Sequence, residues 1–356
     1  MSDGHRVIDI ALQGGGAHGA FTWGVLDRLL EEDGLEIEGI SGTSAGAMNA
    51  VALAQGLAQG GREAARALLE SYWMAVSEAA RFSPIRRSLW DRLAGRWSLD
   101  LSPSYVLSQY FTRTVSPYQF NPFDMNPLRD IVAGCFDFDL INATTRPRLF
   151  LGATNVRTGR PKVFRQPQIT VDAVMASACL PFLFKAVEID GEAYWDGGYM
   201  GNPPLFPLID ETQARDIILV QINPFRRDAI PNTAAEIENR LNEITFNGSL
   251  IKELRSVAYL WELIHHENLD RAAYRDARFH MIGAEKEMQA LSASSKLNAE
   301  RAFLLHLRDI GRAAADDWLS VNADRIGVES TWRPEFLFEE SLAPAHLDEA
   351  RRSKRP

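Results

Sequence analysis

Residues 7–46 read VIDIALQGGGAHGAFTWGVLDRLLEEDGLEIEGISGTSAG, and their pattern decides the fold. Val7 to Leu12 is a short apolar run, broken by one acid and closed by glycines, as in a buried strand. Within residues 17–32, Phe21, Val25, Leu26, Leu29 and Leu30 recur at helical spacing, and Asp33-Gly34 ends the helix. Leu35 to Ser41 alternates like a strand. Residues 44–58 are small and apolar, as in a tightly packed helix. Strand, glycine-rich turn, helix, strand, turn, helix is a βαβ unit, so an α/β fold with a mostly parallel central sheet is expected.

The pattern continues outward. Residues 62–80 read as another helix. Between Phe82 and Phe123 the character changes to nine aromatic residues, Pro84, Pro103, Pro117 and Pro122, and five arginines against two aspartates. This reads as an insertion, over about 82–125. Asn126-Pro127 opens a short helix, with Asn as cap and Pro in the first turn. Arg148 to Asn155 and Lys162 to Arg165 flank Thr158-Gly159, as in a hairpin. A helix from Val171 stops before Pro181, and Asp216 to Asn223 reads as a buried strand. Helical pattern runs from Thr233 to about Ala277 with a break expected at Asn247-Gly248. A last strand at Arg278 to Ile282 and a helix from about Leu297 to Val321 follow. Arg240, Lys252 and Arg255 read as a solvated helix face, and the charged tail at 351–355 as frayed. Residues 7–225 form the expected chemical unit, and 226–356 a mainly helical region packed on it.

Composition bounds the function. The chain has 356 residues, 46% of them apolar and 24% charged, ordinary globular usage. Lys plus Arg is 38 and Asp plus Glu 47, a formal charge of −9, which argues against nucleic acid as a partner. Cys135 and Cys179 lack metal-type spacing and read as two reduced thiols. No run is long enough for a membrane span, and the N-terminus is too short in apolar residues for a signal core, so a cytoplasmic location is expected.

Three motifs carry chemistry. The first is Gly14-Gly15-Gly16-Ala17-His18-Gly19, between the first strand and helix. The second is Gly42-Thr43-Ser44-Ala45-Gly46, between the second strand and helix. The third is Asp196-Gly197-Gly198. A serine on a sharp strand-to-helix turn needs tiny neighbours two residues away, and Gly42 and Gly46 meet that need. By itself Ser44 could also be a helix cap on a glycine-rich turn. Successive glycine amides at a helix N-terminus form a pocket for an anion, which in acyl transfer is the tetrahedral oxyanion. Both turns fall at the carboxyl ends of consecutive strands, where α/β sheets bind ligands.

Residues 14–19 also satisfy a dinucleotide-binding glycine pattern, which would make the chain an oxidoreductase. That reading wants a ribose-binding acid at the end of the second strand, where this chain has Ser44. A serine also needs a base. The later histidines are His265, His266, His280, His306 and His346, of which His265 and His266 read as surface residues. The other candidate is Asp196 acting directly. Burial would raise its pKa into a useful range, with Tyr194-Trp195 as an apolar wall. In isolation Asp196-Gly197-Gly198 could equally be a turn.

Together the three motifs resemble the patatin-like phospholipase family, and Ala176-Ser177 with Pro181 and Phe184 resembles that family's segment before its aspartate. The resemblance spans roughly residues 7–225. It implies a three-layer sandwich and a serine hydrolase of lipid esters that needs no cofactor and no metal. In this chain it makes Ser44 the nucleophile, Asp196 the proton acceptor, and Gly14, Gly15 and Gly16 the oxyanion-hole amides. Gly19, Gly42, Gly46, Gly197 and Gly198 support these motifs. A non-catalytic lipid-binding protein on the same fold is the remaining alternative.

Many members carry Arg or Lys where this chain has His18. A preference for less charged esters, or a stronger pH dependence, is therefore expected. His18 as an additional catalytic base is a further reading. Residues 82–123, including Arg86 and Arg87, are the expected lipid contact, at a membrane periphery. The same segment could instead pack into the core or serve self-association.

Overall fold

The computed structural model describes residues 6–227, 229–266 and 275–337. Residues 267–274, His346 and the tail at 351–355 lie outside the described residues, as do the side chains of His265 and His266, and residues 275–277, the expected end of the helical stretch, are not helical.

The chain opens with β1 (Arg6–Leu12), α1 (Gly19–Leu29), β2 (Leu35–Thr43) and α2 (Ala45–Ala80). The insertion holds α3 (Leu89–Leu93), α4 (Pro103–Thr114) and α5 (Pro117–Phe120), followed by α6 (Pro127–Cys135) and α7 (Phe138–Ala143). Next come β3 (Arg148–Asn155), β4 (Pro161–Arg165), α8 (Val171–Ser177), β5 (Val187–Ile189) and β6 (Glu192–Asp196). The rest is α9 (Phe206–Glu211), β7 (Asp216–Val220), α10 (Ala234–His266), β8 (Arg278–Ile282), α11 (Glu285–Gln289) and α12 (Arg301–Asn322).

The strands form one sheet in the order β5-β6-β3-β2-β1-β7-β8, with β4 also on β3. The five strands from β3 to β8 in that order are parallel, and β4, β5 and β6 add antiparallel pairs. Alternation along β1 and β7 explains the layering. Ile8, Ile10, Leu12, Ile218 and Val220 pack toward one core, with residues of α1, α2, α8 and α12. Ala11, Ile217 and Leu219 face a second core with Leu208 of α9 and Leu250 and Leu254 of α10. This is the three-layer α/β sandwich.

Local signals behave as their chemistry dictates. Asn126 Oδ1 accepts the Leu128 N–H and starts α6. Thr158-Gly159 turns between β3 and β4. The two helices expected over 44–58 and 62–80 are joined across a break at Gly60-Gly61.

One expectation fails: α10 runs through Asn247-Gly248 without a break. Asn247 does not turn on its own backbone. Its amide donates to Asn223 O and Pro224 O and accepts from Gln13 Nε2, so tertiary bonds hold it in the helix. Arg240 is likewise half-buried rather than solvated, paired with Glu243 at 3.2 Å and bonded to Phe225 O. Cys179 is buried and Cys135 half-buried, and both are free thiols. Among the described residues no helix is long and apolar enough to cross a membrane.

Candidate active site

With β2 ending at Thr43 and α2 starting at Ala45, Ser44 alone makes the turn. Its φ of 56° and ψ of −124° are a strained conformation for a residue with a side chain, costing about 1–3 kcal/mol. The surroundings hold it there. Ser44 N–H donates to Ser177 Oγ at 2.9 Å, and that hydroxyl donates to Gly152 O at 2.6 Å. Thr43 Oγ1 donates to Gly201 O and Ser41 Oγ to Pro204 O, both at 2.6 Å. A Cβ on Gly46 would stand 2.2 Å from Leu12 O, and one on Gly42 would stand 2.5 Å from Gly46 O. Strand and helix therefore meet backbone to backbone. Ser44 is 9% exposed.

The register of β3 brings Asp196 to the same place. β4 occupies one edge of β3. The other edge is shared: β2 takes Arg148 to Gly152, where Gly152 pairs with Thr43, and β6 takes Ala153 to Asn155, where Ala153 pairs with Asp196. The residues that end β2 and β6 thus abut along one strand edge.

Asp196 is 0% exposed. Its Oδ1 accepts the Gly198 N–H at 2.7 Å, while its Oδ2 is buried with no hydrogen-bond partner among the described residues. Burial pushes the carboxyl up to about 7, against the Gly198 N–H, the Ser44 hydroxyl and the Lys296 charge, which favour ionisation. The serine is near enough to act on the carboxyl, yet the pair does not meet hydrogen-bond geometry. Contacts of this kind tighten when substrate binds.

The glycine loop sits beside Ser44, and a Cβ on Gly14 would stand 2.7 Å from the Ser44 Cβ. The three loop amides differ. Gly14 N–H already donates to Asn202 Oδ1 at 2.6 Å, and Gly14 O accepts from Asn223 Nδ2 at 2.9 Å, so Gly14 is clamped. The N–H groups of Gly15 and Gly16 have no acceptor among the described residues. Gly19 packs on Ala45, and Gly198 packs on the Phe246 ring.

His18 is buried, and its Nε2 bonds Ser295 Oγ at 2.7 Å. Burial first, then the nearby Lys296 charge, holds its pKa well below the usual imidazole range. Its ring is engaged by Ser295 rather than by Ser44, so it serves as a structural residue here. His280 bonds Asp216 and Thr331, and His306 stacks on Trp97, so neither serves Ser44.

A groove of about 850 Å³ lies between the insertion and α10, lined by Tyr105, Tyr110, Phe120, Phe184, Tyr199, Phe246 and Lys296 among others, while Ser44 and Asp196 stand outside its lining. The insertion therefore does contribute a wall. Arg86 bonds Ser83 O and is exposed. Arg87 is not available to lipid: its side chain is 9% exposed, pairs with Glu300 at 2.5 Å and lies 4.3 Å over the Trp97 ring.

Asn202, Asn223 and Lys296 belong to the site's polar frame and carry no sequence signal of their own. Asn202 follows the third motif by four residues, whereas Asn223 and Lys296 come from segments far from the motifs, and only the fold brings the three together.

A model of the patatin-like phospholipase family matches residues 10–209, more than half of the chain, so the chain belongs to that family. A cGAMP-activated phospholipase of Vibrio cholerae is 26% identical over 225 residues, covering 57% of this chain and 56% of its own length. The chain thus spans just over half the length of that curated relative. Two solved structures are similar at a lower level. VipD from Legionella pneumophila has 15% identity and a TM-score of 0.35, covering 86% of this chain and 67% of that one. The ExoU–SpcU complex from Pseudomonas aeruginosa has 17% identity and a TM-score of 0.32, covering 99% and 78%.

Proposed function

We propose that this member of the patatin-like phospholipase family is a serine hydrolase of fatty-acyl esters, of phospholipid, lysophospholipid or simple carboxylester type, working through Ser44 and Asp196. One observation carries the reading. A strained serine stands beside a fully buried carboxylate whose Oδ2 has no hydrogen-bond partner among the described residues. The phospholipase named from Vibrio cholerae supports ester chemistry on lipids.

In this reading Ser44 Oγ gives its proton to Asp196 Oδ2 and attacks the ester carbonyl carbon. The carbonyl oxygen takes up the charge and meets the amides of Gly15 and Gly16, beside the N-terminus of α2. Each such donor contributes about 3 kcal/mol to the transition state. Collapse breaks the ester bond, and the proton passes from Asp196 to the departing alcohol. Water, deprotonated by the same carboxylate, then releases the fatty acid from Ser44. The apolar groove receives the acyl chain. Residues 7–225 carry the chemistry in this proposal, and 226–356 complete its surroundings. Peripheral contact with a membrane through the insertion belongs to the same reading.

The test is labelling with a fluorophosphonate, combined with hydrolysis of a lipid and p-nitrophenyl ester panel. Wild type labels and turns over, while Ser44→Ala and Asp196→Asn do neither at a measurable rate. Equal labelling of wild type and Ser44→Ala would sink the assignment.

A further inference from the structure

We infer that Lys296 is a charged positioning residue of the Ser44–Asp196 site, bracing the glycine loop and holding a positive charge beside it. The inference rests on the proposed reading of that site.

Lys296 lies in a 3-10 turn, Ala293–Leu297, between β8 and α12. This turn is a strap across the back of the glycine loop. Lys296 O stands against Gly16, where a Cβ would come within 2.5 Å of it. Next to it, Ser295 Oγ holds His18 Nε2 at 2.7 Å. Ser294 Oγ accepts the Leu99 N–H, and Ala293 N–H donates to Asn239 of α10. One short segment therefore ties together the loop, the insertion and α10.

The ammonium is held in an unusual way. Its two hydrogen-bond acceptors are neutral amide oxygens, Asn223 Oδ1 at 2.9 Å and Asn242 Oδ1 at 2.7 Å. Asn223 in turn grips Gly14 O and shares Gln13 Oε1, so the cation pulls directly on the frame of the loop. The Nζ also lies 5.5 Å from the centre of the Phe246 ring, which packs on Gly198. Lys296 sits deep in the protein mass, yet it lines the groove and keeps part of its surface open to it.

A cation at such depth without a carboxylate in contact is costly to hold. A methionine of similar length would fill the space at lower cost, so a lysine here points to a use of the charge. Four charged or titratable groups face Lys296. Glu243 of α10 attracts it most, although that carboxylate is also paired with Arg227 at 2.6 Å and Arg240 at 3.2 Å. Arg227 repels it, His18 is neutral, and Asp196 at the end of β6 attracts it. Beyond Glu243, the field of Lys296 also reaches the Asp196 carboxylate and the glycine loop, where the oxyanion of the proposed reaction would form. Fixed charge in a partly dry site stabilises such an anion without reorganising. His18 cannot supply that charge.

The experiment follows the rate of fluorophosphonate labelling, with an uncharged alkyl probe, from pH 5 to pH 10. It compares wild type, Lys296→Met, Lys296→Arg and Ser44→Ala. Burial lowers the Lys296 pKa to about 8, so wild type should lose rate as pH rises through that value. Lys296→Met should label about 10- to 100-fold more slowly and lack this alkaline limb. Its acidic limb should move to higher pH, because Asp196 loses a favourable charge. Lys296→Arg should recover most of the rate and also lack the alkaline limb, since arginine stays charged.

Identical rates and limbs in wild type and Lys296→Met overturn the inference and leave Ser44 untouched. Equal labelling of Ser44→Ala overturns the underlying reading instead. If Lys296→Met loses its cooperative melt, wild type against Lys296→Arg decides. An alkaline limb in wild type alone supports the inference, and the same limb in both overturns it.

Discussion

Asp196 illustrates how a single residue is tuned by what is withheld from it. The carboxyl has no exposed surface, one oxygen receives a single backbone N–H, and the other receives no bond from the described residues. Desolvation raises its pKa to about 7, where a carboxylate becomes a competent base near neutrality. In the proposed reaction, activity should therefore fall as pH drops through about 7, as Asp196 takes up its proton, in a profile of kcat/KM against pH. Stability follows the opposite course. The folded carboxyl binds its proton more tightly than the unfolded one, whose pKa is about 3.9. Its contribution is full below about pH 4 and is lost as pH rises through about 7. Asp196→Asn removes the buried charge but keeps the shape. It should gain about 1–3 kcal/mol relative to wild type at pH 8, with little gain at pH 4. Urea melts at the two pH values check this, and an equal effect at both would contradict the assigned cause.

At the scale of elements, α1 and α12 meet backbone to backbone at two glycines. A Cβ on Gly24 would stand 1.9 Å from Arg308 O, and one on Gly311 would stand 2.1 Å from Phe21 O. Either glycine changed to alanine must push the helices apart. The expected loss is about 1–3 kcal/mol, read in a thermal or urea melt. Since α12 follows the strap that carries Lys296, labelling of Ser44 should slow as well. Neither glycine stood out in the sequence, because their helices read as ordinary amphipathic segments. What was legible there was local: the βαβ unit, the β3–β4 hairpin, the Asn126 cap and the three glycine motifs each follow from a few adjacent residues. The continuity of α10 was not, because Asn247 is held by Gln13, Asn223 and Pro224 from other elements. Arg87 failed for the same reason: its ion pair with Glu300 is invisible in the basic stretch that contains it. Ser44 and Asp196 could be paired in advance only through resemblance. The physical cause of their meeting, a strand edge shared by β2 and β6, is a property of the assembled sheet.

Across the whole molecule, the site depends on parts well beyond the motifs. The family match ends at 209, whereas β7 sits between β1 and β8, and Lys296 lies later still. The groove is walled in part by α4, whose side chains are largely exposed. No residue of α4 is buried, Leu107 is 70% exposed, and Phe123 is 85% exposed. With 38 basic and 47 acidic residues, a membrane contact at this rim should be driven by apolar burial rather than by charge. Binding to neutral phosphatidylcholine vesicles should then survive high salt, which screens charge but leaves apolar burial in force. Leu107 and Phe123 stand outside the groove lining, so changing them to aspartate spares the acyl site. Each would forfeit about 1–2 kcal/mol of partial burial, so the double variant should lose at least about tenfold in vesicle binding and vesicle turnover. Hydrolysis of a soluble short-chain p-nitrophenyl ester should stay within about twofold of wild type. Equal losses on both substrates would mean that the rim shapes the site itself. Unchanged vesicle turnover would mean that lipid meets the protein elsewhere, and a shift in sedimentation of the variant would assign the rim to self-association.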